Sequence, residues 1–214
     1  MFRDRKHAGE LLAGKLESYR ERPETVLLAL PRGGVPVAAA VAHALDLSLD
    51  VFLVHKIGAP SEPELAVGAV AANGLVVIDE DAIAVMGISQ TALESVITRE
   101  REELLRRERE YHGGRVPLAL EGRTAILIDD GLATGYTMLA AIRAVREQRP
   151  AAIVVAVPVA SQETLDRMRA EADEVVCVNT PMRLAAVGQF YADFSQVSDE
   201  QVREDLEVTK RLSP

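Results

Sequence analysis

The sequence predicts an α/β fold, doubly wound around a mainly parallel five-stranded sheet with helices on both faces. The first observation is a set of five short apolar runs rich in β-branched residues: VLLAL (26–30), VFLV (51–54), AILI (125–128), IVVAVPV (153–159) and EVVCV (174–178). None alternates clearly with polar residues, as expected of strands buried on both faces. The second is that helical segments separate several of them: VPVAAAVAHAL, GYTMLAAIRAVREQ and SQETLDRMRAEA. That order is βαβα. The third is size, since 214 residues at 48% hydrophobic suit one sizeable core.

The chain opens on a helix between Phe2 and Tyr19, whose stripe of Ala8, Leu11, Leu12, Leu16 and Tyr19 buries one face and leaves Arg5, Glu10 and Glu17 in solvent. Residues 57–123 interrupt the alternation as an insertion. In it IGAPSEPE is loop-like, ELAVGAVAANGLVVI suits a hairpin turning at Asn73-Gly74, and Ser89 to Tyr111 is a long charged stretch. Its pairs Glu102/Arg106 and Glu103/Arg107 lie at i,i+4 with balanced signs, which is the pattern of a solvated helix rather than a binding patch.

Composition narrows the function classes. A net charge of −9 argues against a nucleic-acid or anionic-membrane partner. No stretch reaches the apolar length needed to cross a bilayer and the first residues lack an apolar signal core, so a soluble, cytoplasmic protein is expected. The single cysteine, Cys177, reads as a buried thiol, and His7, His43, His55 and His112 show no paired metal spacing.

The chemistry concentrates in ILIDDGLATGYT (126–137). Ligands of open α/β sheets bind beyond the carboxyl ends of the strands, which is where Asp129 and Asp130 fall. The loop after them leads into a helix N-terminus, whose unpaired N–H groups favour a phosphate. Thr134 and Thr137 add hydroxyl donors and Gly135 lets the backbone come close. No Gly-Lys-Ser/Thr follows, so this is not a nucleoside-triphosphate loop. Two carboxylates beside a phosphate must accept hydrogen bonds from neutral hydroxyls or hold a divalent cation, and a ribose 5-phosphate meets both needs.

IDDGLATGYT resembles the 5-phosphoribosyl-1-pyrophosphate (PRPP) loop of type I phosphoribosyltransferases, and the resemblance covers nearly the whole chain. It implies that Asp129 and Asp130 hold the ribose 2- and 3-hydroxyls, with Mg²⁺ reached only indirectly, through ribose or water. Gly131 and Leu132 continue the substrate-binding loop, in which Ala133, Thr134, Gly135, Tyr136 and Thr137 wrap the 5-phosphate. Pro31, Arg32, Gly33 and Gly34, ending the first strand, resemble the family's pyrophosphate loop. Lys56 stands at the end of the second strand where the family commonly has Lys, with His55 in place of a frequent Arg. Arg32, Lys56, Asp129 and Asp130 are the implied catalytic set.

The resemblance makes 1–214 one domain, with a mobile closing loop in 57–123 and a small C-terminal hood and tail over 180–214. In the hood, Phe190, Tyr191 and Phe194 are three of only eight aromatic residues. They suit either packing of the hood on the sheet or stacking of Phe190 and Tyr191 on a flat heterocycle, and both uses are compatible. Ala133 stands where the 6-oxopurine branch carries a third acid, and Tyr136 where Gly is usual, so the nearest likeness is to bacterial phosphoribosyltransferase-like proteins of unassigned substrate. The implied activity is Mg²⁺-dependent transfer of the phosphoribosyl group of PRPP to a purine or related heterocycle, as in nucleotide salvage; pairing of two chains as a homodimer is compatible with such a scaffold, and the sequence leaves the assembly state open. A regulator that binds PRPP or nucleotides without turnover is the alternative.

Overall fold

The structure is a computed structural model that describes residues 1–71, 74–112 and 118–210. Its strands are β1 (Thr25–Ala29), β2 (Ser48–Val51), β3 (Val54–Ala59), β4 (Glu62–Ala71), β5 (Val76–Ile78), β6 (Thr124–Ile128), β7 (Ala152–Val159) and β8 (Glu174–Asn179). Five of them pair in parallel in the order β2-β1-β6-β7-β8. Every residue of β1 is buried. Val26 and Leu28 face one layer, Leu27 and Ala29 the other, so the lack of polar alternation follows from two covered faces.

The helices are α1 (Arg5–Lys15), α2 (Gly34–Leu45), α3 (Glu80–Met86), α4 (Gln90–His112), α5 (Tyr136–Arg146), α6 (Gln162–Arg169) and α7 (Asp199–Lys210). Asp4 starts α1 by accepting the His7 N–H at 2.8 Å, and Ser161 starts α6 by accepting from Thr164. Leu12 and Leu16 join Val37, Val41 and Leu45 of α2 and Val202 of α7 on one face of the sheet. Met138, Ile142 and Val145 of α5 and Leu165 and Met168 of α6 cover the other. Each such fully buried aliphatic side chain contributes about 1.5–3 kcal/mol relative to exposure. Where α1 crosses α2, a Cβ at Gly9 would lie 2.4 Å from the Val37 carbonyl oxygen. Gly9→Ala is therefore expected to cost about 1–3 kcal/mol, read as a lower urea midpoint; an unchanged midpoint would contradict the tight crossing.

Three sequence readings change: IGAPSEPE, expected as a loop, is the end of β3, a turn at Pro60-Ser61 and the start of β4. The run 51–54 is not one strand: β2 ends at Val51, the Phe52 N–H makes a further bond to the Ala29 carbonyl, and by Val54 the chain has turned into a separate antiparallel sheet, β3-β4-β5. A continuous apolar run conceals that break, because its residues are buried in both sheets. The opening helix stops at Lys15, leaving Leu11 43% exposed, and Arg5 is half-buried instead of solvated.

The hairpin is present as β4 and β5, antiparallel, although Asn73 lies outside the described residues. The charged stretch is α4, on which Glu103 takes both Arg106 and Arg107 at 2.8 Å. Among the described residues no helix is long and apolar enough to cross a membrane.

Candidate functional site

The strand order places a switch point between β1 and β6. The chain after β1 enters α2 on one face, whereas the chain after β6 enters α5 on the other, and the gap between these exits is where such sheets bind ligands. Both sequence-predicted loops open there. Pro31, Arg32, Gly33 and Gly34 follow β1, with the Pro31–Arg32 peptide cis, and Asp129 and Asp130 follow β6.

The two loops touch. A Cβ at Gly33 would lie 2.0 Å from Asp130 Oδ2, and one at Gly34 would lie 2.6 Å from the Ile128 carbonyl oxygen. Only residues without a side chain let the first loop lie against the acid pair.

Asp129 accepts the Asp130 N–H at 2.8 Å through Oδ1. Burial first, then the neighbouring charge of Asp130, pushes the Asp129 carboxyl well above the usual carboxylate range. Asp130 is also raised by burial, which outweighs the opposing pull of the Arg5 guanidinium, 2.8 Å from Oδ2. A sugar with hydroxyl donors would favour the ionised forms of both.

The loop that leads into α5 follows directly. Leu132 is pinned by its N–H to the Val159 carbonyl at 2.9 Å, and the Ala133 carbonyl accepts the Thr164 hydroxyl at 2.9 Å. Gly135, at φ 78°, turns the chain into α5 and packs against Met168 and Thr164 of α6. No side chain caps α5, so its first N–H groups face the loop mouth, where Ala133 and Thr134 are exposed. Thr137 lies in the first turn. The Tyr136 ring turns aside, lining a hollow of about 160 Å³ against Gly68, Asp79 and Leu139, with the Arg167 guanidinium 5.9 Å from its centre.

Other expected residues are placed differently. Lys56 is exposed in β3 of the antiparallel sheet rather than at the tip of a parallel strand. The physical reason is the break after Val51, which carries the chain out of the parallel ladder before Lys56 is reached. Arg32 lies 3.9 Å from Asp199 at the start of α7, and Asp199 also accepts the Tyr111 hydroxyl.

Tyr191 is 6% exposed, its ring between Phe2 at 5.1 Å and Phe194 at 5.0 Å, and its hydroxyl donates to the Asp130 carbonyl at 2.6 Å. The packing reading of the C-terminal aromatics thus describes Tyr191, whose ring is enclosed by other aromatics; Phe190 is half-buried in the same small cluster. Arg5 and Thr164 are contributors that the sequence did not single out. Thr164 had a signal, since Ser161-x-x-Thr164 opens a helix, but nothing local marked its hydroxyl for Ala133.

Among the described residues no group of three or more His, Cys, Asp or Glu is arranged to hold a metal. With Asp129 Oδ1 and Asp130 Oδ2 already engaged, the pair suits a cation that takes most of its ligands from a bound phosphate ester.

Comparison with known proteins identifies a family. The Phosphoribosyl transferase domain family model matches residues 4–193. A Mycobacterium tuberculosis protein, provisionally named a phosphoribosyl transferase and found in two strains, is 41% identical over 202 residues, or 94% of this chain. The chain spans only 45% of that relative's length. The crystal structure of TT1426 from Thermus thermophilus superposes with a TM-score of 0.81 at 46% identity, covering 96% of this chain and 97% of the other. The AQ2163 protein of Aquifex aeolicus shares the fold at a TM-score of 0.52 and 15% identity, covering 94% and 84%. Since the matched region runs from the first turn of α1 through the acid-pair loop to the segment beneath it, the chain belongs to the phosphoribosyl transferase domain family.

Proposed function

We propose that the chain binds PRPP and transfers its phosphoribosyl group to a ring nitrogen of a purine-like heterocycle, with release of pyrophosphate. The observation that supports this best is the contact between the acid pair and the glycine loop, Asp130 Oδ2 against Gly33, beside an uncapped helix N-terminus. The 5-phosphate sits on the first N–H groups of α5 and the hydroxyls of Thr134 and Thr137. Asp129 and Asp130 accept from the ribose hydroxyls. The N–H groups of the Arg32-Gly33-Gly34 loop receive the pyrophosphate, and Arg32 turns to it from Asp199.

As the bond at C1 breaks, the sugar becomes oxocarbenium-like and the departing group carries the electron pair away, so stabilising that polyanion and keeping water out are the main demands. No covalent nucleophile is required. Bound Mg²⁺, held by pyrophosphate and ribose oxygens and reached by the acid pair through ribose or water, would neutralise the leaving group.

The test is pyrophosphate release from PRPP and Mg²⁺ across a panel of purine and pyrimidine bases. Release with one base class establishes the transferase and its acceptor. PRPP binding without release with any base would overturn the transferase reading in favour of a PRPP-binding regulator.

A further inference from the structure

Arg5 is the basic residue that helical periodicity left in water, yet its side chain is only 11% exposed. Its guanidinium is held on three sides: Nε donates to Asp130 Oδ2 at 2.8 Å, Nη1 donates to the Ser195 carbonyl at 2.8 Å, and its plane lies 3.9 Å over the Phe194 ring. The chain around it is tied down as well. The Phe2 N–H bonds the Phe190 carbonyl at 2.7 Å, and the N–H groups of Ala192 and Asp193 return to the carbonyls of Phe2 and Arg3 at 2.8 Å. Tyr191, packed on Phe2, holds the Asp130 main chain through its carbonyl. The N-terminal strap and the segment 190–195 thus grip Asp130 by backbone and side chain together.

We propose that Arg5 is a positioning residue that acts through Asp130: by holding one carboxylate oxygen from the α1 side, it aims the other at the ribose hydroxyls. This rests on the PRPP reading above. A planar guanidinium can make these three contacts at once, whereas the ammonium of a lysine cannot both fork and stack. Buried ion pairs are frequently replaceable without loss of stability, so a pair kept only for folding would leave ligand binding untouched once the fold is intact.

The experiment is calorimetric titration of the full chain with two ligands in the presence of Mg²⁺: PRPP, which carries the ribose, and inorganic pyrophosphate, which does not. Arg5→Gln is expected to weaken PRPP about tenfold and to leave pyrophosphate affinity unchanged. In the Asp130→Asn background, Arg5→Gln should add no further loss, because residues acting as one unit are non-additive. Equal losses for both ligands, an additive loss in the double variant, or PRPP affinity of Arg5→Gln equal to that of the native chain would each overturn the proposal.

If Arg5→Gln does not fold, Phe194→Leu, which removes the surface under the guanidinium, goes through the same two-ligand comparison with the same outcomes. A native chain that binds no PRPP would remove the transferase reading and this inference with it. Native binding that survives unchanged in Arg5→Gln would remove only the role of Arg5.

Discussion

Asp129→Asn is expected to raise the melting temperature at pH 8 while weakening PRPP at least tenfold. The native carboxyl is raised well above 3.8, by burial first and by Asp130 next. A group whose folded pKa is raised binds its proton more tightly in the folded chain than in the unfolded one. Its ionisation therefore destabilises the fold progressively as pH rises from the unfolded value, and the penalty is complete above the folded pKa. Asparagine removes the charge but keeps an oxygen that can accept the Asp130 N–H now bound by Oδ1. Thermal melts of both proteins at pH 5 and pH 8 should show the larger gain at pH 8. A variant that melts below the native chain at pH 8, or binds PRPP normally, would refute the account. That outcome would describe a site kept strained, with stability given up at the proposed ribose contact.

Gly33→Ala is expected to cut pyrophosphate release at least a hundredfold, about 2.7 kcal/mol in the barrier, in a protein that still folds. The new methyl would sit 2.0 Å from Asp130 Oδ2 and 2.6 Å from Cγ. The carboxylate is the part that can yield, so it must leave both Arg5 and the ribose position proposed above, while the buried sheet beneath is untouched. The control is Gly14→Ala, where a Cβ meets nothing within 4 Å. That variant should release pyrophosphate at the native rate and gain about 0.5–1 kcal/mol of stability as a helix substitution. Near-native turnover of Gly33→Ala would mean that the Asp130 carboxylate need not stay where it is.

Much of the scaffold was legible without coordinates, for local reasons. β1, β6, β7 and β8 lie within a residue of the apolar runs that predicted them, and α2, α5 and α6 match the three intervening helical segments closely. The acid pair and its loop were legible because strand, loop and helix N-terminus are consecutive, so spacing alone brings them together. The run at 51–54 misled because burial is its only message. It does not say that Val51 ends a parallel ladder and Val54 begins an antiparallel one, and that break displaced the expected setting of Lys56.

The sequence by itself determined the class of fold, the strand-end positions of the glycine loop and the acid pair, and the family resemblance, because each is written in residues close together along the chain. Only the tertiary structure decided what surrounds the acid pair. Arg5 and Asp130 are 125 positions apart, and Tyr191 reaches the same residue from 61 positions further on. Helical periodicity reports which face of α1 is polar, but it carries no information about a C-terminal segment folding back over that face. The partial burial of Arg5 is a property of that long-range closure, and so is the orientation of the carboxylate it holds.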